Sequence, residues 1–182
     1  MKAALAVFIA SPIVAALVTL AGARTARIPA PEFHPSGRWF NIGANAAPPS
    51  LHSLRGRVVL VEFWTAECSN CTRSAPTLRS LYAKYRAKGL EIIGVHTPET
   101  RWQRPPGVVA AWIKREAIAW PVFQDNESVT WNAYGNSYWP AFYLVDRRGN
   151  IADRVFGELS QQYPDGIAPF TKSIETVLAE KP

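Results

Sequence analysis

Cysteine is scarce in this 182-residue sequence: there are two, Cys68 and Cys71. That excludes a disulfide-dense scaffold and a four-cysteine zinc site, and leaves one pair to consider. Histidine is nearly as rare, and His34, His52 and His96 show no paired spacing that would complete a metal site with those thiols. No internal repeat appears, and no long block of like charge marks a nucleic-acid or lipid patch. The 20 Lys and Arg outweigh the 14 Asp and Glu to give a net charge of +6, but they are scattered, as at Arg55, Arg79, Lys88, Arg104 and Arg148. A solvated basic surface that attracts acidic partners is the reading that fits. At 48% hydrophobic and 19% charged the chain is globular, neither disordered nor collagen-like, and its length suits one domain.

What is present begins at the N-terminus. After Lys2 comes Ala3 to Ala23, a stretch without charge that ends in the small residues Ala21-Gly22-Ala23 before Arg24. This reads as residues 1–23 forming either a secretory signal or a membrane anchor, since the run is also long enough to cross a bilayer core. Both readings put the rest of the chain outside the cytoplasm, in a bacterial periplasm or on the outer face of the inner membrane. Residues 24–50 carry Pro29, Pro31, Pro35, Pro48 and Pro49 without a sustained period, and read as an extended lead-in. Residues 51–182 form the remaining unit.

Within that unit, Val58 to Trp64 is a β-rich run, apolar on both faces except at Glu62, which predicts a central strand covered on both sides. Leu78, Leu81, Tyr82 and Tyr85 have helical spacing within Cys68 to Lys88, and Gly89 is placed to end that helix. Leu90 to Val95 reads as a second buried strand. After a loop rich in Pro and Arg come a helix over Val108 to Ile118, a strand over Trp120 to Phe123 and a short helix over Val129 to Tyr134. The strands Ala141 to Val145 and Ile151 to Phe156 flank the hairpin turn Asp146 to Asn150, and a helix over Ile167 to Ala179 closes the chain. Alternation first and a hairpin last predict an α/β sandwich with a mixed sheet.

Cys68-Ser69-Asn70-Cys71 falls between the first buried strand and the following helix. A helix N-terminus offers unpaired N–H groups and the positive end of the macrodipole, both of which stabilise a thiolate. A haem attachment site would need histidine where Thr72 stands. A static disulfide closing so short a loop would constrain the unfolded chain little. A redox-active pair, in which the first thiolate attacks and the second resolves, is the reading that the position favours.

The segment Phe63-Trp64-Thr65-Ala66-Glu67-Cys68-Ser69-Asn70-Cys71, with Pro76 beyond it, resembles the active-site segment of the thioredoxin superfamily. Trp139-Pro140 ahead of the Ala141 strand resembles that family's cis-proline site. Gly89 to Glu99 and Trp131 to Pro140 are similar to exported thiol–disulfide oxidoreductases of the TlpA/ResA/DsbE kind, and among them to the thioredoxin-like domain of DipZ-type cytochrome c biogenesis proteins. The resemblance implies a thioredoxin fold, Cys68 as attacking and Cys71 as resolving cysteine, and Pro140 facing the sulfurs. It implies that the Trp139 backbone pairs with an extended client; Trp64 and Trp139 are expected to flank the disulfide and line the client site, and Gly157, at the same end of the sheet, to leave room for the client chain. Glu62 takes the place of a buried acid behind the active site and is expected to have a raised pKa and a proton-relay role, the alternative being a structural hydrogen bond. Implied partners are protein thiol or disulfide clients and a membrane thiol transporter of the CcdA/DsbD kind as electron donor. No bound cofactor or metal is implied, and a monomer is expected.

Three departures qualify the likeness. Glu67 puts a carboxylate beside Cys68, Ser69-Asn70 lacks a histidine between the cysteines, and Ser74 stands where some cytochrome c biogenesis thioredoxins have glutamate. Together they lean towards a reductant or an intermediate potential. Two rivals are a thiol peroxidase, for which Thr65 is the only nearby accessory residue, and a non-enzymatic module holding copper or a client on Cys68 and Cys71. His96 reads as a strand-end residue, and Trp102, Trp112 and Trp120 as packing or rim residues.

Overall fold

The computed structural model describes residues 27–181. The signal or anchor expected in residues 1–23 lies outside the described residues. Among those described, no helix is long and apolar enough to cross a membrane.

Six strands form one sheet: β1 (Trp39–Phe40), β2 (Val58–Trp64), β3 (Leu90–His96), β4 (Val122–Gln124), β5 (Ala141–Val145) and β6 (Ile151–Phe156). Their order is β1-β4-β3-β2-β5-β6. β3 runs parallel to both β2 and β4, while β1, β5 and β6 pair antiparallel with their neighbours. Among the described residues four α-helices accompany the sheet: α1 (Ser69–Tyr85), α2 (Pro106–Arg115), α3 (Val129–Ala133) and α4 (Ile167–Ala179). The sheet is mixed, as the order of elements in the sequence predicts.

The two-residue period of β2 divides the core. Val58, Leu60 and Trp64 join Leu90, Ile92, Phe142 and Leu144 in a cluster covered by α1, α2 and α4. Val59, Val61 and Phe63 join Ile93, Val95, Tyr143 and Val145 on the opposite face. Every residue of β2 and β5 is buried, which is why neither strand shows polar alternation.

The lead-in is built into the domain. Trp39–Phe40 forms the edge strand on β4, Pro29 bridges Asn150, and Phe33 is buried with its ring centroid 5.5 Å from that of Phe123. Such pairing is invisible to period analysis because it is two residues long and flanked by prolines. Other differences are at element ends. The helix after Cys68 gives way at Arg86–Lys88 to a 3-10 turn closed by Gly89 at φ 101°. The expected Val108 helix starts at Pro106, whose fixed φ suits a first helical position. β4 begins after Pro121, which has no N–H to give a ladder.

Candidate active site

The register of the sheet gathers the chemistry at one end. Trp64 closes β2 opposite His96, the last residue of β3, while Phe63 pairs with Ala141, the first of β5. Ala141 in turn pairs with Phe156, the last of β6. Cys68, Pro140 and Gly157 each lie just past one of these strand ends, outside the carboxyl ends of the parallel strands.

Cys68 is the N-cap of α1, with φ −70° and ψ 111°, and its Sγ accepts a hydrogen bond from the Cys71 N–H at 3.2 Å. A thiolate there gains from the orphan donor and from the helix dipole together. The two cysteines form a disulfide with Cα atoms 5.2 Å apart. Cys68 is partly exposed, whereas Cys71 is wholly buried under α1. Only the first sulfur is therefore open to a partner. Glu67, just before it, is exposed and held at φ 63°.

Thr65 and Ala66 are fixed by a residue that sequence reasoning missed. Gln103, buried in the 3-10 turn Arg101–Gln103, accepts at Oε1 from the Thr65 hydroxyl (3.1 Å), the Glu99 N–H (2.7 Å) and the Thr100 N–H (3.0 Å). Its Nε2 donates to the Ala66 carbonyl at 2.6 Å. No periodicity announces such a clamp, since it depends on contacts across the fold.

On the other side, the Trp139–Pro140 bond is cis, Pro140 is buried, and its carbonyl accepts from the Gly157 N–H at 2.9 Å. Gly157 has φ 94°, and a Cβ there would meet nothing within 4 Å, so the space beside Pro140 is open. Trp139 is half-buried, 4.2 Å centroid to centroid from Trp131. Trp64 corrects the expectation that it lines a client groove. It is 0% exposed and stacks on Trp112 at 4.1 Å, so it supports the site from beneath. Trp112 and Trp120 are core residues, and Trp102 is the exposed one.

Ser74 does not carry a charge to the site. Its hydroxyl donates to the Asn70 carbonyl at 2.9 Å and accepts from the Leu159 N–H at 3.0 Å, tying α1 to the segment after β6. Arg73 makes the same link with an ion pair to Glu158 at 2.6 Å and a contact to Asn70. The guanidinium holds the Glu158 carboxyl below the usual carboxylate range.

Glu62 is 0% exposed in the middle of β2. Alternation places its side chain on the Leu60 and Trp64 face, the face that α1 covers with Cys71. Its Oε2 accepts from the Trp120 indole N–H at 3.2 Å, and its Oε1 has no partner among the described residues. Burial pushes the carboxyl up to about 8, and the Trp120 bond opposes that shift. His96, also fully buried, has no side-chain hydrogen-bond partner at either ring nitrogen among the described residues, and burial pushes it down to about 4. No group of metal-ligating side chains occurs among the described residues.

The profile of the AhpC/TSA family matches residues 29–154. The chain belongs to the AhpC/TSA family. Within it, the sequence is 43% identical over 129 residues to Protein DipZ of Mycobacterium bovis, covering 71% of this chain and 18% of DipZ. It is 28% identical over 116 residues to the thiol-disulfide oxidoreductase ResA of Bacillus cereus, 64% of each chain. The chain thus spans less than a fifth of DipZ and under two thirds of ResA. Among solved structures, a thioredoxin-like protein in its oxidised form superimposes with a TM-score of 0.71 at 26% identity, covering 86% of this chain and 98% of that one. A thiol:disulfide interchange protein of the thioredoxin family from Chlorobium tepidum gives 0.65 at 21% identity, covering 86% and 100%. This AhpC/TSA chain has the thioredoxin fold.

Proposed function

We propose that the chain is a thiol–disulfide oxidoreductase that reduces protein disulfides outside the cytoplasm. The observation that carries this reading is the asymmetry of the pair: a partly exposed Cys68 at a helix N-terminus, bonded to a wholly buried Cys71. Attack and resolution need that division of labour.

In the reduced protein the Cys68 thiolate attacks one sulfur of a client disulfide. That S–S bond breaks, and the other client sulfur leaves as a thiolate. The Cys71 thiol passes its proton to the Glu62 carboxylate, and the new thiolate attacks Cys68 Sγ. The mixed disulfide breaks, the second client sulfur leaves with its electron pair, and it takes a proton from Glu62 or from water. Two electrons have moved to the client, and Cys68–Cys71 is oxidised. Thiols of a membrane transporter of the CcdA/DsbD kind restore the dithiol. The client backbone lies along Trp139 and Pro140, in the space that Gly157 leaves open. Support for export is the uncharged run before Arg24.

Direction rests on balance at Cys68. The helix end and the Cys71 N–H favour the thiolate, while the Glu67 carboxylate beside it disfavours it. The less the Cys68 thiolate is stabilised, the better the dithiol is as an electron donor. For a thiol peroxidase, Thr65 is the accessory residue at hand, and its hydroxyl is turned to Gln103, while Arg73 is held by Glu158.

The test is the reduction potential of the pair, equilibrated in glutathione or dithiothreitol buffers and read by tryptophan fluorescence. A value near about −270 mV supports the reductant, and one near about −120 mV overturns it in favour of a disulfide-forming oxidant. Loss of exchange in C68S, with a client trapped on Cys68 in C71S, is the expected companion result.

A further inference from the structure

Glu62 has no counter-charge among the described residues. Among the described residues, His96 of β3, packed against Trp64, and Cys71, Tyr82 and Tyr85 of α1 are the buried titratable groups on its face, while Arg79 and Arg86 border the cavity lined by Tyr82 and Trp120. The Tyr82 and Tyr85 hydroxyls are committed to Glu91 and Glu175. β5 contributes Phe142 and Leu144, α2 contributes Val109, Trp112 and Ile113, and α4 contributes Phe170, Ile174 and Val177, none of them titratable. No lysine or arginine is buried among the described residues. The Trp120 indole N–H is therefore the one polar group bonded to this carboxyl among the described residues.

The space around that bond is shaped by a glycine. Gly94 pairs with Glu62 across β2 and β3. A Cβ at Gly94 would lie 2.9 Å from Val122 Cγ2, 3.0 Å from Trp64 Nε1 and 3.5 Å from Trp120 Nε1. Two indole N–H groups thus close over one bare backbone position beside the acid. One donates to Oε2, while Trp64 Nε1 and Glu62 Oε1 stay unpartnered. A side chain at this position would push the indoles apart.

We propose that Trp120 is a positioning residue for Glu62: its N–H holds Oε2 in place over Gly94, leaves Oε1 alone to exchange the proton, and sets the pH at which the carboxyl gives that proton up. This rests on the relay reading of Glu62. The physical reason is that an N–H donor favours the ionised carboxylate, which burial alone would suppress. Without the donor the acid stays protonated to higher pH and accepts the Cys71 proton less readily.

The test follows the Trp120 indole N–H resonance in the oxidised wild-type chain through a pH titration, beside pH profiles of disulfide exchange for wild type, W120F, E62Q and W120F/E62Q. The Trp120 resonance is expected to titrate with a midpoint near 8, where burial places Glu62, and to stop titrating in E62Q. The Glu62-dependent limb of the exchange profile is expected to move up by about one pH unit in W120F, the worth of one hydrogen bond. It should vanish in E62Q and stay absent in the double variant. A flat Trp120 resonance, or a W120F limb that does not move while E62Q abolishes it, overturns the role of Trp120 and leaves the relay standing. An E62Q profile identical to wild type overturns the relay itself, whatever Trp120 does. The wild-type titration needs no substitution, so an unfolded variant would not blunt the result.

Discussion

A buried acid and a buried imidazole on the same face make the pH dependence of stability calculable in sign. Glu62 rises from an ordinary 4.5 to about 8 on folding, so between those values the native chain holds a proton that the unfolded chain has released. Its contribution to stability is whole below about pH 4.5 and is lost as pH climbs through 8, at about 1.4 kcal/mol per unit. His96 falls from 6.5 to about 4, so the native chain there lacks a proton that the unfolded chain binds. Its contribution is present above pH 6.5 and is lost as pH falls through 4. The two slopes oppose each other between about 4.5 and 6.5, and Glu62 alone acts from there to 8. Urea midpoints are expected to stay level over the first window and to decline over the second. In E62Q the decline should disappear, and in H96F it should begin near pH 4.5; a wild-type curve still rising at pH 8 would contradict the Glu62 assignment, and an H96F curve level from 4.5 to 6.5 would contradict that of His96. The acid could be read from the sequence, because Glu62 interrupts an apolar strand. The unpartnered histidine could not, since what covers a strand end depends on helices far along the chain.

At the level of elements, the cysteine loop is held by a segment that has no regular structure of its own beyond one 3-10 turn. Gln103 fills all three acceptor needs of its neighbourhood with one oxygen and satisfies the Ala66 carbonyl with its amide nitrogen. Truncation in Q103A leaves buried groups unpaired and is expected to cost about 1–3 kcal/mol, read from the urea midpoint. Q103E separates the halves of the clamp: it keeps the acceptor for Glu99 and Thr100 but sets an oxygen against the Ala66 carbonyl. Hydrogen exchange should therefore keep the Glu99 and Thr100 amides protected in Q103E and free them in Q103A. Equal protection in all three proteins would remove Gln103 from this role. Legibility divides along the same line. β2, β3 and α1 showed in the sequence because each repeats a spacing over two or more turns or pleats. The cysteine spacing showed because it is local. Gln103, the Trp120 bond and the two-residue β1 did not show, because each is a single long-range contact. Trp64 was misassigned to the groove for a related reason: its strand end is visible, but α2 lying over it is not.

For the whole molecule, charge acts at a longer range than any of these contacts. The chain carries +6, yet two acids of the site differ in standing: Glu158 is paired with Arg73, while Glu67 is exposed and adjoins Cys68 in sequence. A positive body should draw in anionic disulfides, and one local carboxylate should resist them in the last few ångströms. Both fields weaken as the Debye length shrinks from about 30 Å at 0.01 M salt to about 8 Å at 0.15 M. Exchange rates with doubly anionic oxidised glutathione and dicationic cystamine separate the two effects. The ratio of the glutathione rate to the cystamine rate is expected to exceed its high-salt value at low salt and to fall several-fold as salt is added. E67Q should raise that ratio at every ionic strength, because removing the local carboxylate leaves the wider field unopposed. A ratio indifferent to salt but sensitive to E67Q would mean that only the charge beside Cys68 selects the client, and that the basic surface serves solubility alone.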